Sequence, residues 1–448
     1  MRLLRPLMPH QKDALAFARQ QSNPFFAMAM RTGKTLTAIR HARLKYPNGQ
    51  FLVVAPLTVL IPWEKELKRE GLACYTLLAG DHEALLAAKH PGWYLVGPAA
   101  CRINSYILSQ NWDIVIVDES TLMRNPKAEI TQALNHAGVS AKDRICLSGW
   151  PCPEGEEDWF EQMRFLGHGE FMGCKNFYQW RRRFFISIDH DWVPKPGSSL
   201  LIKRALEGRV FFLSAEKAGM PDRFVEQLRY VQMDKDQEKI YAQVKKEFAA
   251  TYQEHALSTK WITVQSLRMH QIASGEVPWA DGTSTFFQPK TRELINLITG
   301  ELSRERVVVF FRFDHGVDSV SLALVDAGIV HQRITGATPQ ASRISAIQDF
   351  ESGKSRILLL QAECGKFGLD LSSGSTAIFY SQGYSFETWT QCRNRLKHPS
   401  KTSSNLLIYL VSKGTIEEDI LPAIRDKKTV GQYFFCQLLN HAKQLASH

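Results

Sequence analysis

No apolar run in this chain approaches the ~20 residues that a membrane-spanning helix requires, so the sequence offers no candidate span and no membrane partner is expected. The basic N-terminus lacks the apolar core and cleavage site of a secretory signal. The eight cysteines include no C-x-x-C pair and no histidine at zinc-ligand spacing. That excludes a patterned zinc module and reads as reduced thiols in a cytoplasmic compartment, not as a disulfide framework. Low-complexity tracts are absent as well. Acidic residues are the scarcer charge: 45 Asp+Glu stand against 55 Lys+Arg, for a net +10 and a pI near 9.1. The balance suits a polyanionic partner without requiring one. The 448 residues leave room for two to three domains and more than one core.

What the chain does contain is a set of separated stretches. In the first, an expected strand Phe25–Met30 runs into Gly33-Lys34-Thr35, and a helical pattern follows from Leu36 to Leu44. Strand, loop and helix in that order make a phosphate-binding loop. Backbone N–H groups at the helix start cradle phosphates, Lys34 reaches the β/γ-phosphates, and Thr35 can ligate Mg²⁺. The full pattern wants glycine where this chain has Met28, so alone the motif is also compatible with a polar turn opening a helix. The second stretch, Asp113 to Ser120, is an apolar run that ends in Asp118-Glu119. It reads as a buried parallel strand delivering carboxylates to a ligand crevice, with Asp118 for Mg²⁺ and Glu119 for the attacking water. A third strand, Arg144–Leu147, ends in Ser148-Gly149-Trp150-Pro151, and far downstream lies Gln391-Cys392-Arg393-Asn394-Arg395-Leu396-Lys397-His398.

Buried-strand candidates in the first half are Phe25–Met30, Phe51–Ala55, Trp93–Val96, Ile114–Val117 and Ile145–Leu147, with helices such as Pro62–Arg69 and Glu83–Lys89 between them. The second half repeats the alternation with Val307–Phe311, Ile357–Leu360, Ala377–Tyr380 and Leu406–Val411. Helices are expected there over Thr291–Glu301, Val317–Ala327 and Ala341–Phe350. Such alternation implies an α/β fold with parallel sheets covered on both faces. The pattern changes between the halves: aromatic and basic residues crowd Phe177–Phe185, and a polar helix is expected over Lys235–Leu257. Trp279–Phe286 reads as a hairpin turning at Asp281-Gly282.

Taken in order, these stretches resemble a superfamily 2 helicase of the Swi/Snf-like branch, over nearly the whole chain. Leu7-Met8-Pro9-His10-Gln11 is similar to the branch's adenine-reading segment, and Val53 to Glu64, with Trp63-Glu64, to its second motif. Asp118-Glu119-Ser120 with Arg124-Asn125 resembles its acidic motif. Gly365 to Leu371 resembles the motif before the arginine segment. Gly219-Met220-Pro221 and Leu267–Gly275 are similar to segments of the branch's insertions.

The resemblance implies two RecA-like parallel-sheet lobes in tandem, 1–152 (ATP-binding) and 290–448 (with C-terminal helices), around a mainly helical, aromatic-rich insertion at 153–289. It implies an ATP- and Mg²⁺-using DNA helicase or translocase acting on branched DNA in replication, recombination or repair, like the short forms of phages and bacteria. A duplex translocase without strand separation, or a weakly hydrolysing DNA-binding scaffold, stays open. By the same resemblance Gln11 meets the adenine edge, and Arg31, Thr32, Gly33, Gly368 and Asp370 also serve the nucleotide. Gln391 and Arg395 enter from the second lobe, Arg395 as the arginine finger. Ser148 links nucleotide state to lobe closure. Strand-end loops at Pro56-Leu57-Thr58, Arg124-Asn125 and Gly336–Thr338 are expected on DNA phosphates. Arg181, Arg182 and Arg183 either add a basic patch beside stacking aromatics or form the solvated face of an amphipathic helix. Two departures from the family pattern stand out. Arg31 replaces a glycine, its cation either assisting phosphate binding or facing solvent. His398 replaces a second arginine, so either Arg395 acts alone, Arg393 or Lys397 compensates, or hydrolysis is slow.

Overall fold

The computed structural model describes residues 5–77, 90–103, 107, 110–153, 155–188, 191–220, 223–254, 259–279, 281–365, 369, 371–397, 401 and 403–426. The expected helix Glu83–Lys89, and Gly368, Asp370, Pro221 and His398, lie outside the described residues. The chain divides into two compact units, Met1–Asp222 and Arg223–His448, so the stretch 153–289 is shared between them.

The first unit is built on a seven-stranded sheet. Its strands are β1 (Phe25–Met28), β2 (Gln50–Val54), β3 (Cys74–Leu77), β4 (Gly92–Val96), β5 (Ile114–Asp118), β6 (Asp143–Ser148) and, after the separate hairpin β7 (Phe185–Ile188) and β8 (Asp191–Pro194), β9 (Val210–Leu213). The spatial order is β3-β4-β2-β5-β6-β1-β9, and every pairing is parallel. β1, β5 and β6 are buried along their whole length, because helices cover both faces. Side chains alternate between the two cores: Phe25 and Ala27 pack with Val115 and Trp159, whereas Phe26 and Met28 pack with Ile116 and Trp63. The helix after β2 spans Leu57–Arg69, five residues earlier than the sequence suggested. Pro62 sits inside it instead of opening it, and Val59, Leu60, Trp63 and Leu67 form its buried stripe.

The second unit holds β10 (Phe224–Val231), the small hairpin β11 (Glu276–Pro278) and β12 (Ser284–Phe286), then β13 (Val307–Phe311), β14 (His331–Ile334), β15 (Ile357–Gln361), β16 (Thr376–Phe379) and β17 (Asn405–Ser412). Its six-stranded parallel sheet runs β10-β17-β16-β13-β15-β14. The hairpin forms as expected: β11 and β12 pair antiparallel, and Gly282 takes φ +84° in the turn, a conformation that favours glycine. These are two RecA-like parallel-sheet lobes. The stretch 153–289 is less purely helical than expected, because β9 and β10 leave it to edge one sheet each.

Candidate nucleotide site and nucleic-acid interface

β1 ends at Met28, and the helix Lys34–Lys45 opens behind a tight turn in which Arg31 (φ +67°) and Gly33 (φ +81°) are both left-handed. The positive φ of Gly33 favours glycine, and a Cβ there would fall 2.1 Å from Gln11 Nε2, displacing that side chain from its bonds to the turn. Gln11 is buried and donates from Nε2 to Gly33 O (3.2 Å) and Thr32 O (3.5 Å), while its Oε1 accepts from Met8 N at 2.9 Å. His10 Nε2 lies 2.9 Å from Thr32 O. The opening segment is therefore fastened to the phosphate-loop backbone, a contact that motif spacing did not foretell. Lys34 Nζ donates to Met28 O (2.9 Å) and Ala29 O (3.3 Å), so Met28, at the place of the missing glycine, serves the loop through its carbonyl. Thr35 follows within the first helical turn, where N–H groups have no partner inside the helix.

Asp118 ends β5, two strands from β1, on the same carboxyl edge of the sheet. Its Oδ2 accepts from Trp63 Nε1 at 2.8 Å and its Oδ1 from Glu119 N at 2.8 Å. Glu119 is left-handed at φ +51°, a conformation of a kind that collects at functional sites. The Ser148-Gly149 turn ends β6 against the loop: a Cβ on Gly149 would lie 3.7 Å from Lys34 Nζ and 3.2 Å from Met30 Cγ. Gln162 was missed by sequence reasoning. Fully buried, it accepts from Ser120 Oγ (2.6 Å) and donates to Pro151 O (2.7 Å) and Asp158 O (2.8 Å), tying the acidic motif to the turn after β6. A glutamine on an amphipathic helix carries no signal that would single it out. The buried indole of Trp63 could have been flagged, because such an N–H needs an acceptor.

Of the residues expected on nucleic acid, Pro56 caps the helix Leu57–Arg69, with Leu57 exposed and Thr58 half-buried. Arg124 and Asn125 follow the short helical turn Ser120–Met123. On the helix Phe177–Phe184 the aromatics Phe177, Trp180 and Phe184 are buried, while Arg182 and Arg183 are exposed. Arg181 differs from them: its guanidinium makes a two-pronged bond to Glu157 at 2.7 and 2.8 Å.

In the second unit, Gly336 N donates to Gln361 Oε1 (2.8 Å) and Thr338 Oγ1 accepts from Thr335 N (2.9 Å). Arg343 holds the same loop by donating to the carbonyls of Thr335, Gly336 and Thr338. The helix Phe386–Asn394 carries buried Gln391, whose Nε2 donates to Glu387 Oε1 at 2.9 Å, and Arg395 caps its C-terminus. Arg393 lies between the rings of Phe224 (4.5 Å) and Trp389 (4.6 Å) and pairs with Glu226 at 3.4 Å.

Among the described residues, no group of three or more His, Cys, Asp or Glu is placed to hold a metal ion, and no helix is long and apolar enough to cross a membrane.

Comparison with known proteins adds to this geometry. Residues 10–276 match the model of the SNF2-related domain, and residues 289–398 match that of the helicase conserved C-terminal domain. The Xenopus laevis SWI/SNF-related matrix-associated actin-dependent regulator of chromatin subfamily A-like protein 1 is 26% identical over 447 residues, covering 96% of this chain and 44% of that protein. The Saccharomyces cerevisiae ISWI chromatin-remodeling complex ATPase ISW1 is 22% identical over 433 residues, covering 90% and 38%. The chain thus spans less than half the length of these curated relatives. Among solved structures, the Sulfolobus solfataricus SWI2/SNF2 ATPase core in complex with dsDNA is 20% identical, with a TM-score of 0.44, covering 95% of this chain and 93% of that one.

Proposed function

The chain belongs to the SNF2-related family, and from that premise we propose that it is a DNA-dependent ATP hydrolase that couples hydrolysis to movement along DNA. The observation that carries this reading is the first sheet's carboxyl edge. There Gly33-Lys34-Thr35 opens the helix that follows β1, and Asp118 ends β5, two strands away in one parallel sheet, with Glu119 next to it. Lys34 neutralises the β/γ-phosphates of ATP, the helix N–H groups at Lys34 and Thr35 cradle them, and Glu119 orients the attacking water. Gln11, Arg31 and Thr32 border the nucleotide.

Mg²⁺ fits this donor set. Asp118 brings a carboxylate to the carboxyl edge of the sheet, and Thr35 offers a hydroxyl in the first turn of the helix after β1, oxygen donors of the kind the ion takes. Bound there, the ion would offset charge on the phosphate oxygens. From the second unit, Gln391 and Arg395 serve the same reaction, Arg395 by offsetting charge that develops in the transition state.

DNA is held by its phosphates at the helix start Pro56–Thr58, at Arg124-Asn125 and at the loop Gly336–Thr338, with Arg182 and Arg183 adding exposed positive charge. Forks and junctions are the substrates we propose, in replication, recombination or repair, and the support for them is the family resemblance. Steady-state ATPase with and without DNA tests the motor. A strand-displacement comparison of forks, junctions and blunt duplex tests the substrate. Turnover indifferent to DNA rejects the motor, and DNA-stimulated turnover without displacement on any of the three identifies a duplex translocase.

A further inference from the structure

Beside the acidic motif, the first unit has an open cleft that ATP chemistry does not use. The segment Arg124–Lys127 forms one side, and the first turn of the helix Phe177–Phe184 forms the other, around a cavity of about 390 Å³. That volume lies within the ~300–1,000 Å³ of small-ligand sites and is roomy enough for a nucleotide. Tyr178 is its aromatic wall. Tyr178 is 62% exposed and packs edge-on against the buried Phe177 at 6.4 Å, so the residue keeps surface accessible to a ligand. Two carboxylates line it, Glu157 and the buried Asp158. Glu157 is committed to Arg181, whose guanidinium is further fixed between the rings of Phe177 (4.5 Å) and Trp192 (4.7 Å). Arg124 and Lys127 also line the cavity and bring positive charge to it. Asn125 Oδ1 accepts from Lys127 N at 2.9 Å, so its NH₂ is the group left to present.

Cations and amide donors alone would suit any phosphate backbone. The exposed tyrosine adds something that a paired duplex does not use, because stacked, paired bases offer no free face. An unpaired base does, and it stacks on an aromatic ring whatever its identity. We propose that this cavity takes one unpaired nucleotide of a DNA strand, the base against Tyr178 and the phosphate toward Arg124 and Lys127. The proposal rests on the DNA-dependent reading above and deepens it, since it selects single-stranded or frayed DNA over intact duplex. The cavity also has a connection to the acidic motif. Asp158 lines it, and the Asp158 carbonyl accepts from Gln162, which in turn holds Ser120 next to Glu119.

The test compares the full chain with Tyr178→Ala, Tyr178→Phe and Lys127→Ala. Fluorescence anisotropy would be read on an oligodeoxythymidine strand and on a blunt duplex of equal length. Tyr178→Ala is expected to weaken single-strand binding about tenfold and duplex binding less than about twofold, with Tyr178→Phe near wild type. Lys127→Ala is expected to weaken the single strand more than the duplex. Equal losses on both DNAs in Tyr178→Ala, or no loss on the single strand, overturn the proposal while leaving the DNA-dependent reading intact. A wild-type chain that binds neither DNA, with ATPase unmoved by both, overturns that reading and this proposal with it. Tyr178 lies on the surface, so an unchanged melting temperature in its variants serves as the folding control.

Discussion

Trp63 donates its indole N–H to Asp118 at 2.8 Å, and both residues are buried. The bond joins the helix that follows β2 to the end of the neighbouring strand β5, and it fixes the carboxylate that would face Mg²⁺. Trp63→Phe keeps an aromatic ring in the core but removes the only N–H of that side chain, leaving Asp118 Oδ2 short of a donor. A group that orients a metal-facing ligand is worth about 10–100-fold in activity. We expect turnover to fall by about that much while the KM for ATP moves little. A melting temperature a few degrees lower should accompany the change, since a hydrogen bond to a charged group contributes roughly 1.5–3 kcal/mol. Wild-type turnover in this variant would mean that the bond is a packing detail.

Lys34 donates to the carbonyls of Met28 and Ala29. Lys34→Ala is therefore expected to leave the fold standing, while DNA-stimulated ATPase falls by more than about 10²-fold, the scale for removing a group that stabilises transition-state charge. Steady-state turnover together with a melting curve checks both halves. Active enzyme with an unshifted melt would reduce the Gly-Lys-Thr stretch to a turn.

How legible this was in the sequence depended on burial. The central strands β1, β2, β4, β5 and β6, and β13, β15, β16 and β17, announce themselves as apolar runs because helices cover both of their faces. Besides the separate hairpin of β7 and β8, the strands that sequence reading missed, β3, β9, β10 and β14, are the edges of the two sheets. An edge strand buries part of its length only: Thr76 is exposed beside buried Leu77, and Leu228 and Tyr230 are exposed in β10. That leaves no continuous apolar run to read. The site divided along similar lines. Motif residues such as Lys34 and Asp118 were legible as types at a spacing, whereas Gln162 and Gln361 act through hydrogen bonds to Ser120 and Gly336, far away in sequence, that no local pattern encodes.

A buried polar cluster in the second unit sets an acid limit. Glu417 accepts from Lys290 Nζ (2.6 Å), Ser274 Oγ (3.1 Å) and Ser412 N (2.8 Å), and His270 beside it contacts Tyr384 OH at 3.0 Å. Burial alone would raise the Glu417 carboxyl, but the Lys290 ammonium and the His270 ring outweigh it and hold the group at about 2. Its stabilising contribution is present above the ordinary 4.5 and is lost as pH falls from there toward about 2. Burial also lowers His270, so stability begins to decline as pH drops below 6.5. Thermal melts over a pH series should show this two-part decline. Glu417→Gln is expected to cost about 3–5 kcal/mol at neutral pH, because it leaves Lys290 buried without its counter-charge. It should also flatten the limb below 4.5. A variant that melts like wild type at pH 7 would sink the argument.

The arginines around the end of the helix Phe386–Asn394 should separate by function. Arg393 is committed: its side chain is only 12% exposed, sandwiched by Phe224 and Trp389 and paired with Glu226. Arg393→Ala removes that packing and strands Glu226 beside Arg425, so it should lower the melting temperature of the second unit and reduce activity only in proportion. Arg395 sits one residue past the helix, as its C-cap, and is the better candidate to act on developing charge. Arg395→Ala is expected to reduce turnover by about 10³–10⁵-fold with far less change in ATP affinity, the scale for an arginine acting in the transition state. Arg395→Lys should recover only part of that loss, since a point charge lacks the planar fork. His398→Arg, which restores the family's second cation, should leave turnover unchanged or raise it. Turnover, ATP binding and melting temperature measured on the same variants decide the assignment. If Arg393→Ala abolishes turnover with an unshifted melt while Arg395→Ala stays active, the finger is Arg393 and the stacking around it positions a reacting group.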